Sequence, residues 1–114
     1  MASRQSTVDY IVEQIAEAGT VYAKKMFGEY GIFCDGKMVA LVCDDQLFVK
    51  PTAVGKAYIG EFVEGSPYPG AKPYLLITGD KWDDRDWLVK LLQITTPELP
   101  LPQKKLKKSV KRKE

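Results

Sequence analysis

The 114-residue chain has the size of one domain, long enough for a single core and too short for two. Its 45% apolar fraction excludes a disordered chain, and no apolar run approaches the roughly 18 residues of a membrane helix, so a folded cytoplasmic protein without a signal segment is expected. The net charge of +2 hides a segregation: residues 104–114 hold seven Lys/Arg and one Glu, a local +6, which leaves −4 on residues 1–103.

Apolar residues at Val8, Ile11, Val12, Ile15 and Ala16 share one helical face, predicting a helix over 6–18 with Ser6 or Thr7 as its cap and Gly19 as its stop. Four strand-like segments follow at 21–27, 30–34, 38–43 and 46–50. Asp35-Gly36 suits a two-residue hairpin turn whose positions both need positive φ, and Asp44-Asp45 is a weaker candidate of the same length. With both turns two residues long, counting places Phe33 opposite Met38, Ile32 opposite Val39, Tyr30 opposite Leu41, Leu41 opposite Phe48 and Val42 opposite Leu47. One face then carries Tyr30, Ile32, Val39, Leu41 and Phe48. The other carries Phe33, Met38, Ala40, Val42, Leu47 and Val49. The third strand, Met38–Cys43, has no polar face, so both sides of the sheet need cover.

After Pro51, residues 52–63 predict a short helix with Val54, Ala57, Tyr58 and Phe62 inward, weakened by Gly55 and Gly60. Gly65–Gly70 is a loop, Pro73–Thr78 a last strand suited to an edge, and Asp83 a cap for a helix bearing Trp87, Leu88, Leu91, Leu92 and Ile94. That helix ends near Thr95-Thr96-Pro97. The fold class is therefore α+β, an antiparallel meander of about five strands with an N-terminal, a short middle and a C-terminal helix over 1–96, followed by a Pro/Lys-rich basic tail over 97–114 that is expected to be unfolded when free.

The sequence contains no histidine, which removes the commonest general base, the serine-type triads and the usual zinc ligands. Two cysteines in different strands, Cys34 and Cys43, lie roughly 20 Å apart by strand rise, beyond disulfide reach, and read as buried reduced thiols. The acidic group Asp80, Asp83, Asp84 and Asp86 lacks the spacing of a calcium loop and reads as helix capping. Gly28 and Gly31 match no phosphate-binding pattern, because strand follows strand around them, and read as turn or bulge glycines. No catalytic residue, metal site or cofactor is assigned. Lys24 and Lys25, with Tyr22, Tyr30 and Lys50, form a candidate basic and aromatic surface for nucleic acid. Lys104, Lys105, Lys107, Lys108, Lys111, Arg112 and Lys113 are candidate phosphate contacts.

The run Lys25-Met26-Phe27-Gly28-Glu29-Tyr30-Gly31-Ile32-Phe33, then Asp35-Gly36, an apolar strand and Leu47-Phe48-Val49-Lys50, resembles the N-terminal domain of the TfoX/Sxy competence-regulator family. The similarity extends over most of residues 5–96. It implies a small bacterial α+β domain whose best-known members switch on DNA-uptake genes alongside a cyclic-AMP-responsive DNA-binding activator, as coactivators and not as enzymes. Proline and lysine residues stand where those members carry a second, helical domain. The resulting expectation is a non-enzymatic regulatory or adaptor domain that binds a protein partner, such as transcription machinery or a DNA-binding activator, or a second copy of itself. Phe33, Met38, Ala40, Val42, Leu47 and Val49 are its candidate interface. The alternative is a nucleic-acid-binding module driven by the tail.

Overall fold

The computed structural model describes residues 3–26 and 28–99. Helix α1 spans Gln5–Gln14, with Val8 and Ile11 buried as the spacing predicts, and a 3-10 turn at Ala16–Ala18 carries the chain to Gly19. Its cap position is Arg4, which gives no side-chain capping bond, so Ser6 and Thr7 fall inside the helix. The start is fixed from outside instead, by the Arg4 N–H donating to Asp45 Oδ1 at 2.8 Å.

Strands β1 (Val21–Met26), β2 (Glu29–Cys34), β3 (Lys37–Cys43) and β4 (Gln46–Val49) form the antiparallel meander. Both connecting turns take the left-handed geometry that two-residue hairpins need, with φ of 53° and 85° at Asp35 and Gly36 and of 54° and 58° at Asp44 and Asp45. Phe33 does pair with Met38, and Leu41 with Phe48 and Val42 with Leu47. Between them the counted register fails: Ile32 pairs with Ala40 and Tyr30 with Val42, because the pairing shifts by one residue past Phe33. Val39 is the extra residue, a bulge that sequence counting could not place.

The bulge redistributes the faces. Ala40, Val42, Leu47 and Val49 join Ile32 and Cys34 in one core cluster, whereas Leu41, Cys43 and Phe48 form a second cluster with Met38 packed against it. Each expected face is thereby cut in two and rejoined to the opposite half of the other.

Helix α2 (Ala53–Ile59) begins at Thr52, whose hydroxyl accepts from the Gly55 N–H at 2.9 Å. Its inward positions are Gly55, Tyr58 and Ile59, while Val54 and Phe62 are 40% and 39% exposed, so the helix is rotated from the expected orientation. A Cβ at Gly55 would stand 2.9 Å from the capping Thr52 Oγ1, so glycine makes room for the cap, while Thr95 and Leu91 lie at ordinary contact distance beyond it. The Tyr58 hydroxyl then donates to the Trp87 carbonyl at 3.0 Å across the same contact.

Two further strands, β5 (Val63–Gly65) and β6 (Tyr74–Ile77), complete a six-stranded sheet of order β1-β2-β3-β4-β6-β5. The predicted last strand is therefore internal, and the edge beyond it is a three-residue segment too short to carry a periodic signal. After it come the single turn α3 (Gly79–Trp82) and helix α4 (Arg85–Thr95). Asp84, not Asp83, caps α4 by accepting from the Trp87 N–H at 3.2 Å. Asp83 ends α3 and instead accepts the Tyr10 hydroxyl.

Val8 and Ile11 of α1 and Leu88, Leu91 and Leu92 of α4 are all at most 1% exposed, and with Tyr58 and Ile59 of α2 they cover Ile32, Val42, Leu47, Val49, Leu75 and Ile77. Each such side chain contributes about 1.5–3 kcal/mol by leaving water. The helices thus lie on one side of the sheet. Among the described residues, no helix is long and apolar enough to cross a membrane.

Candidate functional site

The face without helices is apolar across its centre. Leu41, Cys43 and Phe48 are 8%, 5% and 4% exposed, with half-buried Met38, Tyr74 and Leu76 packed against them. Toward β1, Tyr22 stacks on Phe33 with ring centroids 5.2 Å apart and planes 4° from parallel. At the two margins Tyr22 is 44% and Val63 55% exposed.

Gly31 is central to this surface and is neither a turn nor a bulge glycine. It pairs with Leu41 in mid-strand, and a Cβ there would meet Met26 Sδ at 2.6 Å, Met38 Sδ at 3.3 Å and Phe33 Cε1 at 3.4 Å. Its missing side chain is what allows the two methionines and the phenylalanine to lie down over β2. Gly28, by contrast, has φ of 79° and makes the β1–β2 turn.

At the far end of β2 and β3 the face deepens into a groove of about 570 Å³. Met26, Leu41 and Cys43 line its apolar part, Glu29 and Asp44 stand at it as carboxylates, and the loop Pro67-Tyr68-Pro69 forms a wall, with Tyr68 54% exposed. Sequence reasoning missed this feature, because it brings together a strand end, a hairpin turn and a loop distant in the chain. The available signal was an aromatic residue set between two prolines.

Glu29 is held by main-chain donors: Ser3 N–H reaches Oε1 at 2.9 Å and Asp44 N–H reaches Oε2 at 3.0 Å. Partial burial pushes its pKa up, but these hydrogen bonds outweigh it and the net shift is downward, keeping the group ionised. Asp45 is lowered as well, chiefly by the Arg4 N–H, and its Oδ2 stands 3.4 Å from Arg4 Nε. The Asp45 N–H donates to Ser3 Oγ at 2.9 Å. The N-terminal segment is thus strapped to the rim of the groove. Among the described residues the ion pairs are Arg4–Asp45 and Lys56–Glu64, so Asp44 is in no ion pair there, while the chain's terminal ammonium adds to the lowering at Glu29.

The expected protein interface is divided by the bulge. Phe33 and Met38 lie on the open face, whereas Ala40, Val42, Leu47 and Val49 are at most 1% exposed beneath the helices and cannot meet a partner. The expected basic and aromatic surface does not assemble either. Lys24 pairs with Gly31 and Lys25 with Tyr30, so the two lysines project from opposite sides of β1, and both are exposed. Tyr30 turns toward α1, where its hydroxyl donates to Gln5 Oε1 at 3.0 Å. Lys50 is half-buried with its pKa lowered by that burial. The tail candidates Lys104, Lys105, Lys107, Lys108, Lys111, Arg112 and Lys113 lie outside the described residues.

Both thiols are free and buried, on opposite faces of the sheet. Burial pushes Cys43 up to about 11 and raises Cys34, so neither is a useful nucleophile at neutral pH. The aspartates of the α3–α4 corner are separately engaged, Asp80 by the Thr78 hydroxyl, Asp83 by Tyr10 and Asp84 by the Trp87 N–H. Among the described residues no group of three or more Cys, Asp or Glu could hold a metal ion.

An uncharacterized 12.7 kDa protein from the trpE 5′ region of Spirochaeta aurantia is 34% identical over 103 residues, covering 90% of this chain and 89% of that protein. The sequence profile described as TfoX N-terminal domain matches residues 13–97, from the last turn of α1 through the 3-10 turn after α4. The match takes in the whole sheet, the open face and the groove, and the chain belongs to the TfoX N-terminal domain family.

Proposed function

We propose that this chain is a non-enzymatic regulatory adaptor of the cytoplasm, which presents the open face of its sheet to a protein partner. The observation that carries the reading is the asymmetry of the sheet. Three helices cover one face, while on the other Phe33, Met38, Leu41, Phe48, Tyr74 and Leu76 lie together, met among the described residues by a loop at one end. The centre of that face at Leu41 and Phe48 is closed over by half-buried Met38, Tyr74 and Leu76, and the exposed aromatic and aliphatic margins at Tyr22 and Val63 are what a protein partner would meet. The chemistry around it points away from catalysis, since the chain has no histidine and Cys43 stays protonated. Transcription machinery or a DNA-binding activator is the partner class that the resemblance to competence regulators implies.

Affinity capture from the source cell tests the reading, with nuclease-treated and untreated arms and with a Tyr22→Asp, Val63→Lys variant beside the parent chain. Proteins that survive nuclease and are lost on the variant are the expected result. Capture indifferent to both substitutions overturns it.

The segregation of +6 onto residues 104–114 favours a second reading, sequence-blind nucleic-acid binding through the tail. It expects salt-sensitive DNA or RNA binding that collapses when the chain ends at residue 103. Equal binding by the truncated and full chains removes it.

A further inference from the structure

We infer that the acid-rimmed groove on the open face is the docking site of the chain's own basic segment, residues 104–113, which makes the tail a competitor for the partner-binding surface. The inference rests on the reading of the open face as a binding surface and adds how access to it is controlled.

Charge complementarity is the first support. Asp44 stands at the groove in no ion pair among the described residues, beside Glu29, which its two main-chain donors keep ionised. The segment that would answer them carries seven Lys/Arg, against a body of net charge −4. Its pattern is the second support. Val110 is set among cations and followed by Lys111, Arg112 and Lys113, matching an apolar floor of Met26, Leu41 and Cys43 beneath carboxylates. Lysine stems add to the fit, since they lie on apolar surface while the ammonium groups reach the rim.

Reach is the third support. The chain leaves α4 beside the β2–β3 turn, where the Lys37 ammonium donates to the Thr96 carbonyl at 3.1 Å. The groove lies at the other end of β3, seven residues away, roughly 23 Å at strand rise. Residues 100–113 span up to about 46 Å when extended, enough to round the end of the sheet and set Lys111, Arg112 and Lys113 at the rim. Tethering supplies an effective concentration on the order of millimolar, so even a weak peptide contact is populated within one molecule.

The test compares amide NMR spectra of the full chain and of a chain ending at residue 103. At low salt the amides of Glu29, Asp44 and Tyr68 are expected to differ between the two, and the difference to vanish at about 0.5 M salt, where the Debye length falls to a few ångström. A synthetic peptide of residues 104–113 added to the truncated chain should reproduce the shifts. Asp44→Asn keeps the left-handed turn, which asparagine also favours, and should weaken the peptide by about two- to five-fold, the contribution of one exposed ion pair. Matching spectra, or differences confined to Lys37 and Thr96, overturn the inference. So do shifts that grow with protein concentration, which would mean that copies exchange tails. These spectra involve no cellular partner, so their failure removes the tail contact alone, whereas capture that ignores the open-face variant removes the adaptor reading.

Discussion

The two faces of this sheet share every strand and every backbone hydrogen bond, yet one is sealed and the other is not. On the covered face Leu75 is fully buried beneath the helix layer. Its neighbour Leu76, one residue on and pointing the other way, is only half-buried beside Phe48. The same residue type in the same strand therefore meets a three-sided core in one case and a shallow apolar surface in the other. The contrast separates two ways of burying apolar side chains: helices seal one side, while on the other Leu41 and Phe48 are closed over by half-buried Met38, Tyr74 and Leu76.

The largest test of that contrast is the matched pair Leu75→Ala and Leu76→Ala. The first should cost about 2–5 kcal/mol as a cavity in a closed core and the second about 1 kcal/mol or less, read from urea denaturation midpoints. Equal losses would mean that the open face is as much a core as the covered one. Next comes the helix layer itself. Asp84→Ala removes the cap of α4, the carboxylate that accepts from the Trp87 N–H, and should cost about 1 kcal/mol, while Asp83→Ala should cost less because it loses only an exposed bond from the Tyr10 hydroxyl.

A pH titration sharpens the same boundary at the groove. Glu29 is depressed in the folded chain below its ordinary value of 4.5, so its contribution is fully present above that value and is lost as pH falls through the depressed folded value. Amide exchange at Ser3 and Asp44 should therefore accelerate in acid before the core does, and in Glu29→Gln that acid-dependent step should disappear. The last test is Tyr22→Asp with Val63→Lys, which loses the Tyr22–Phe33 stack at about 0.5–1.5 kcal/mol and is expected to abolish partner capture.

Much of this architecture is legible in the sequence, and the exceptions share a cause. The α1 spacing, the Asp35-Gly36 and Asp44-Asp45 turns and the end of α4 are local signals, and each is found where the residues put it. The α2 inward face, the α4 cap and the interface residues are not local. The side of α2 that packs on α4 is set by the Tyr58–Trp87 contact, and the α3 turn moves the start of α4 by one residue. The Val39 bulge is the costliest omission for the site. A period-two pattern has no mark for one inserted residue when every position of β3 from Met38 to Cys43 is apolar, so Ala40, Val42, Leu47 and Val49 were assigned to the wrong side together. Gly31 was the readable clue to the true face, since a mid-strand glycine asks what lies over it.

The edges of the sheet bear on solubility. One edge is β1, with exposed Lys24 and Lys25 side by side, and the other is β5, three residues long and followed within two positions by Pro67. Adjacent lysines on one margin and a curtailed strand on the other both frustrate strand-by-strand growth, the route by which exposed sheets become fibrils. The directions in which strand-by-strand polymerisation would run are therefore closed at both margins of the sheet, even though Tyr22 and Val63 stand exposed there.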